Sequence, residues 1–266
     1  MPDRLIDTHC HLDATEFATD RAAVAAAASA AGVATLVVPA VGRASFDAVA
    51  AVCREFPGCV PAYGIHPLYV RQARPEDLDE LRRRLSREPA VAVGEIGLDR
   101  HEETRDDALQ EFYFVEQLRI AGELGLPVLL HVRRAVDQIL GHLRRHRVPG
   151  GIAHAFNGSL QQAEEFIRLG FKLGFGGAMT FAGSRRIRAL AAGLPLEAIV
   201  LETDAPDIPP AWKNGGRNTP ADLLPIAETL SQLRGLPLAE IAAATSKNAA
   251  AALPRLINHT TPGERQ

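Results

Sequence analysis

Cysteine is scarce in this chain: Cys10, Cys53 and Cys59 are the only three, and no two of them have Cys-x-x-Cys spacing. An odd, unpaired set argues against a disulfide framework or a thiolate zinc site and fits reduced thiols. Aromatic residues make up only 5% of the chain and the formal net charge is −3. There is thus no global positive field to draw a polyanion, and nucleic-acid binding would have to rest on local basic patches. Long hydrophobic runs are also missing, since the alanine-rich stretch from Ala22 to Ala31 is too short to span a membrane. Met1-Pro2-Asp3-Arg4 leads straight into an apolar segment without the parts of a signal peptide, so the expectation is a cytoplasmic protein with no membrane partner. No Pro-, Gly- or Ser-rich linker divides the 266 residues. We therefore expect one domain over residues 1–258 and a polar, frayed tail over residues 259–266.

What the chain does have is alternation. Short apolar runs of β character are expected at 6–11, 35–40, 60–64, 90–94, 127–131, 151–154, 171–175 and 199–202. Helical patterns separate them at 21–31, 45–55, 76–87, 108–124, 135–146, 160–169 and 185–192, and two more follow at 221–234 and 238–252. Eight buried strands with crossover helices predict an α/β fold of the closed (β/α)8 TIM-barrel type. A doubly wound open sheet is the alternative.

The polar residues of interest stand at the ends of these apolar runs. His9 and His11 are spaced so that an extended strand sends both side chains to one face. Glu95 follows the fourth run, His131 ends the fifth, His154 ends the sixth and Asp204 follows the eighth. In a barrel these positions converge on one mouth. Six imidazole and carboxylate groups exceed the needs of one metal and suit two divalent ions sharing a bridging ligand, for which Glu95 is the natural choice. Each residue alone could be a satisfied polar corner or half of an ion pair. Together they are hard to explain that way, because titratable groups end four strands that otherwise read as core.

Seven ordered motifs carry a resemblance. They are Asp7-Thr-His-Cys-His-Leu-Asp13, Gly64-Ile-His-Pro67, Gly94-Glu-Ile-Gly-Leu-Asp99, Pro127-Val-Leu-Leu-His131, His154-x-Phe-x-Gly-Ser159, Leu201-Glu-Thr-Asp-Ala-Pro206 and Arg217-Asn-x-Pro220. In this order, over residues 4 to about 255, they resemble the TatD-type metal-dependent deoxyribonucleases, and residues 131–209 look most similar to the YjjV-like branch. The resemblance implies a barrel of the amidohydrolase type. It also implies one metal on His9, His11, Glu95 and Asp204 and a second on Glu95, His131 and His154. The activity implied is phosphodiester hydrolysis of DNA from the 3′ end. The nitrogen-rich donor set leans toward zinc or manganese rather than magnesium.

The chain departs from the family pattern at Leu68 (often histidine), Arg100 (often aromatic), Val132 (usually serine) and Asn157 (usually a small hydroxyl residue). None is an implied metal ligand, so the departures bear on substrate. Asp204 is the expected proton acceptor, with Glu95 beside it as the other catalytic carboxylate. His66, Arg133, Asn157, Ser159 and Arg217 are candidate phosphate contacts, and His66 is also a candidate for an additional metal. The run from Ser184 to Arg188 would extend a basic rim. The expected partners are single-stranded 3′ DNA ends, with no obligate protein partner. Two rival functions stay open: a lactonase, amidase or phosphotriesterase on the same barrel, and a non-catalytic metal- or nucleotide-binding barrel. Glu95 at the bridge position weighs against the first, since such relatives usually bridge their metals with a modified lysine.

Overall fold

The computed structural model describes residues 4–256, so the expected tail at 259–266 lies outside the described residues. Strands β1 (Leu5–Asp7), β2 (Val33–Pro39) and β3 (Cys59–Ala62) pair in parallel in that order. So do β4 (Val93–Asp99), β5 (Val128–Arg133), β6 (Gly151–Ala153), β7 (Phe171–Phe175) and β8 (Ile199–Leu201). Backbone bonds join the two runs: Val91 N donates to Pro61 O and Gly94 N to Tyr63 O, both at 2.9 Å. At the other edge Thr8 N donates to Leu201 O at 3.1 Å. The sheet therefore closes into a parallel (β/α)8 barrel, as the alternation predicts, and the open-sheet alternative falls.

Helices α1 (Arg21–Ala30), α2 (Phe46–Glu55), α3 (Glu76–Arg87), α4 (Asp107–Leu124), α5 (Val136–Arg145), α6 (Leu160–Arg168) and α7 (Arg185–Gly193) are the crossovers. Their limits follow local chemistry. Asp106 caps α4 by accepting from Leu109 N, and Gly125 ends it in the left-handed region at φ 62°. Ser159 and Gln162 form a capping box at the start of α6. Strand residues are buried on both faces because helices cover the outside and side chains fill the inside.

Helices α8 (Leu223–Arg234) and α9 (Leu238–Ala252) are the last two α-helices among the described residues. Inside the barrel, Val37, Val60, Leu129, Ile152 and Val200 pack with Leu253 and Leu256 from the end of α9 and the turn after it. Burying each leucine contributes roughly 1.5–3 kcal/mol. Polar contacts fix this plug at the strand starts: Asn248 donates to Leu196 O and Ile199 O, Ser246 to Arg4 O and Arg255 to Ala90 O. With one end plugged, the strand C-termini form the open mouth. No helix among the described residues is long and apolar enough to cross a membrane.

Several strand limits differ from the sequence reading, and those of β1 and β4 bear most on the donors. β1 stops at Asp7, because Thr8 turns its N–H and hydroxyl to Leu201 O, so His9 and His11 project from the segment beyond the strand. β4 does not end at Gly94 but runs on to Asp99, which puts Glu95 inside it. Gly97 makes this possible, lying opposite His131 where any Cβ would stand 2.0 Å from the His131 carbonyl oxygen.

Candidate metal centre

The joint between β1 and β8 sets the first histidines. Asp7, fully buried, accepts from His9 N, Thr203 N and Thr203 Oγ1 at 3.2, 3.0 and 2.6 Å. Burial pushes its carboxyl up to about 7, more strongly than these hydrogen bonds pull it down. Asp204 N donates to His9 O at 2.8 Å, which holds Asp204 in the left-handed region at φ 59°. A non-glycine residue there carries backbone strain that the surrounding bonds must hold. The Nδ1 of His11 lies 3.2 Å from Pro39 O, so that ring edge is occupied and Nε2 faces the mouth.

Donor atoms then converge. His9 Nε2 lies 3.3 Å from His11 Nε2, 3.1 Å from Glu95 Oε2 and 3.7 Å from Asp204 Oδ1. His11 Nε2 is 3.7 Å from Glu95 Oε2 and 3.6 Å from Asp204 Oδ1. The other Glu95 oxygen, Oε1, faces a separate group, 2.9 Å from His131 Nδ1 and 3.5 Å from His66 Nε2. Those two nitrogens are 3.0 Å apart. His154 stacks on His9 with ring centroids 3.8 Å apart, and its Nε2 is 3.5 Å from Asp204 Oδ1.

The structure thus brings His9, His11, Glu95 and Asp204 together, the four that the resemblance implies for one ion. It sets His154 beside His9 and Asp204, and gives Glu95 and His131 the neighbour His66. Among the described residues, three such groups have donor atoms lying within 4.8 Å of one another: His9–His154–Asp204, His9–His11–Glu95 and His66–Glu95–His131. The set fits divalent cations, because pairs of imidazole nitrogens approach each other with carboxylate oxygens alongside.

Electrostatics divide these groups, favouring ionised Glu95 and Asp204 and neutral His9 and His66. Burial acts to raise the Glu95 carboxyl, but His66, His9 and His131 outweigh it and hold it well below the usual carboxylate range. Asp204 is likewise held low, the effect of His154, His9 and His11 exceeding that of burial. Burial, with His154 nearby, lowers His9, and burial pushes His66 down to about 4. Ionised carboxylates and neutral imidazoles are the forms that bind metal.

Behind the donors stand carboxylates that sequence reasoning passed over. Asp99 Oδ2 lies 3.0 Å from His131 Nε2, and Glu202 Oε1 lies 3.0 Å from His154 Nδ1. Against burial, which lowers both rings, Asp99 and Glu95 raise His131, and Glu202 and Asp204 raise His154. Metal-binding imidazoles commonly give their second nitrogen to such a partner. A signal was present for Asp99, four residues past Glu95 and hence on the same face of β4. Gln117 fixes the His66 loop, accepting from Ile65 N and donating to Ile65 O.

The expected phosphate contacts fare differently. Arg133 ends β5, half exposed, with Nη1 3.9 Å from Asp99 Oδ2. Asn157 accepts two bonds from the Arg186 guanidinium. Ser159 is occupied as the α6 cap. Arg217 forks onto Asp20 and stacks over Phe17 at 4.8 Å.

Histidine and carboxylate donors gathered at the C-terminal mouth of a (β/α)8 barrel define a metal-dependent hydrolase. The family model described as TatD related DNase matches residues 6–254. The chain is 41% identical over 248 residues to the uncharacterized metal-dependent hydrolase YjjV of Escherichia coli K12, covering 92% of this chain and 96% of the relative. The crystal structure of Escherichia coli YjjV matches with a TM-score of 0.92 at 39% identity, covering 96% of this chain and 99% of that one. The 3′-5′ ssDNA/RNA exonuclease TatD of Cronobacter sakazakii is 34% identical over 256 residues, 92% of this chain and 96% of the relative. The chain belongs to the TatD family.

Proposed function

We propose that this protein is a phosphodiester hydrolase that removes nucleotides from single-stranded 3′ DNA ends with the help of two divalent ions. The observation that carries this reading is the division of Glu95, whose Oε2 faces His9 and His11 while its Oε1 faces His131 and His66. One carboxylate shared between two adjacent donor groups is the arrangement of a two-ion phosphodiesterase. His9, His11, Glu95 and Asp204 would hold one ion, and Glu95, His131 and His66 or His154 the other.

Bound ions would supply Lewis acidity at the phosphoryl oxygens and a water acidified toward neutrality. The nitrogen-rich donors favour zinc or manganese over magnesium. Asp204 accepts the proton of the attacking water, its Oδ1 standing 3.7, 3.6 and 3.5 Å from ring nitrogens of His9, His11 and His154. Arg133 can take the phosphate in its fork. A concave mouth admits an unpaired end more easily than the middle of a stiff duplex, which supports an end-dependent reaction. The Cronobacter relative, a 3′-5′ ssDNA/RNA exonuclease by name, supports the polarity.

The test is digestion of 5′-labelled single strands, matched duplexes and covalently closed circles by zinc- or manganese-loaded protein. A stepwise ladder from the 3′ end, with circles left intact, is expected. Rapid cutting of circles, or no turnover of any strand, would overturn the reading.

A further inference from the structure

Among the described residues, six large apolar side chains are notably exposed, and two of them, Phe181 (43%) and Trp212 (42%), stand on neighbouring loops of the mouth. Phe181 lies in the segment between β7 and α7, directly after a short turn of helix at Gly177–Thr180. Trp212 lies in the segment between β8 and α8, in a similar turn at Ala211–Lys213. The two segments are fastened together: Ala211 N donates to Thr180 Oγ1 at 2.8 Å, and a Cβ on Gly177 would stand 2.2 Å from Ile208 O. They also border the candidate catalytic carboxylate, since Gly176, Gly177, Ile208 and Asp204 line one cavity of about 20 Å³.

The indole of Trp212 is held by one edge. Its Nε1 donates to buried Asp222 Oδ1 at 3.0 Å, which satisfies the polar atom and orients the ring while much of the side chain stays in water. Next to Phe181, the first turn of α7 carries exposed Arg185 and Arg186 and no acidic residue. Cations at a helix N-terminus oppose the helix dipole, so these arginines cost the helix stability. Neither is paired with a carboxylate among the described residues, and Arg186 instead forks onto the neutral Asn157. Exposed aromatic faces beside unpaired cations are what a single strand needs, stacking for its bases and countercharge for its phosphates.

We infer that Phe181 and Trp212 form a base-stacking platform, flanked by Arg185 and Arg186, that seats the unpaired DNA strand against the site of hydrolysis. This rests on the phosphodiesterase reading and adds the positions that select a single strand. Stacking is indifferent to base identity, so the preference is for unpaired over paired DNA and not for a sequence. The neutral to acidic chain as a whole supplies no competing attraction.

Trp212 is the only tryptophan of the chain, so its fluorescence reports this contact directly. The experiment titrates metal-loaded protein with a phosphorothioate-linked oligothymidylate, which resists hydrolysis, and with an abasic strand of equal length and charge. Anisotropy of a 5′ label on each strand measures binding in parallel. Saturable quenching by oligothymidylate is expected, with binding of the abasic strand roughly tenfold or more weaker. Phe181→Ala and Trp212→Ala should each weaken oligothymidylate binding by a similar factor while binding of the abasic strand changes little, and Trp212→Phe should restore most of it. Oligothymidylate that binds, or whose ordinary phosphodiester form is degraded, without quenching and no better than the abasic strand would overturn the platform and leave the phosphodiesterase reading standing. If no strand binds and none is degraded, both fall together.

Discussion

Asp99 Oδ2 lies 3.0 Å from His131 Nε2, while the opposite nitrogen of that ring, Nδ1, lies 2.9 Å from Glu95 Oε1. A ring held between two carboxylates has both its tautomer and its direction set, and Asp99 is itself fixed by accepting from His101 N at 2.8 Å. Asp99→Asn should therefore weaken metal binding at the His66–Glu95–His131 group by about 10- to 100-fold without unfolding the barrel. A competitive chelator titration of the variant reads this out. Unchanged affinity would show that Asp99 neither orients His131 nor sharpens its basicity.

The same pair of strands gives a prediction on stability. Gly97 sits at φ 152°, and a Cβ there would stand 2.0 Å from the backbone oxygen of His131. The neighbour is backbone and cannot swing away, so Gly97→Ala should destabilise the protein by about 2–4 kcal/mol and disturb the placement of His131 as well. Thermal unfolding compared with Gly193→Ala, a helix-end position with open space around it, checks the first part. Equal melting temperatures would mean that β4 and β5 separate at little cost.

Asp204→Asn keeps the shape of the side chain but removes the proposed proton acceptor. Turnover should fall by about two powers of ten or more, with little change in unfolding temperature, and the loss should persist at saturating metal. Full recovery on adding metal would make Asp204 a ligand only, and another group the base.

How far the sequence could be read divides along physical lines. The barrel was legible because apolar runs and helical periods alternate, and because two-sided burial makes parallel strands continuous in Val, Ile and Leu. Strand ends were less so: the fourth strand is expected to end at Gly94, yet β4 runs on through Gly97, which sits mid-strand because β5 passes too close for a side chain. The six donors were legible as polar residues placed where core was due. Their grouping was not, since it depends on ring orientation: His66 reaches Glu95 because Gln117 pins its loop, and His154 turns toward Asp204 with Glu202 behind it. Ser159 and Arg217 looked like phosphate contacts by residue type, but a helix cap and an acidic neighbour occupy them.

The most direct test of the account is the metal content of Glu95→Ala beside wild type and His131→Ala, measured by elemental analysis after reconstitution with zinc. Glu95 alone offers an oxygen to both donor groups, so its loss should empty both positions and abolish hydrolysis of a 5′-labelled single strand. His131→Ala should lose mainly the ion of its own group. Wild-type content near two ions per chain, about one in His131→Ala and close to none in Glu95→Ala is the predicted result. Full metal content with retained hydrolysis in Glu95→Ala would contradict the shared-carboxylate centre.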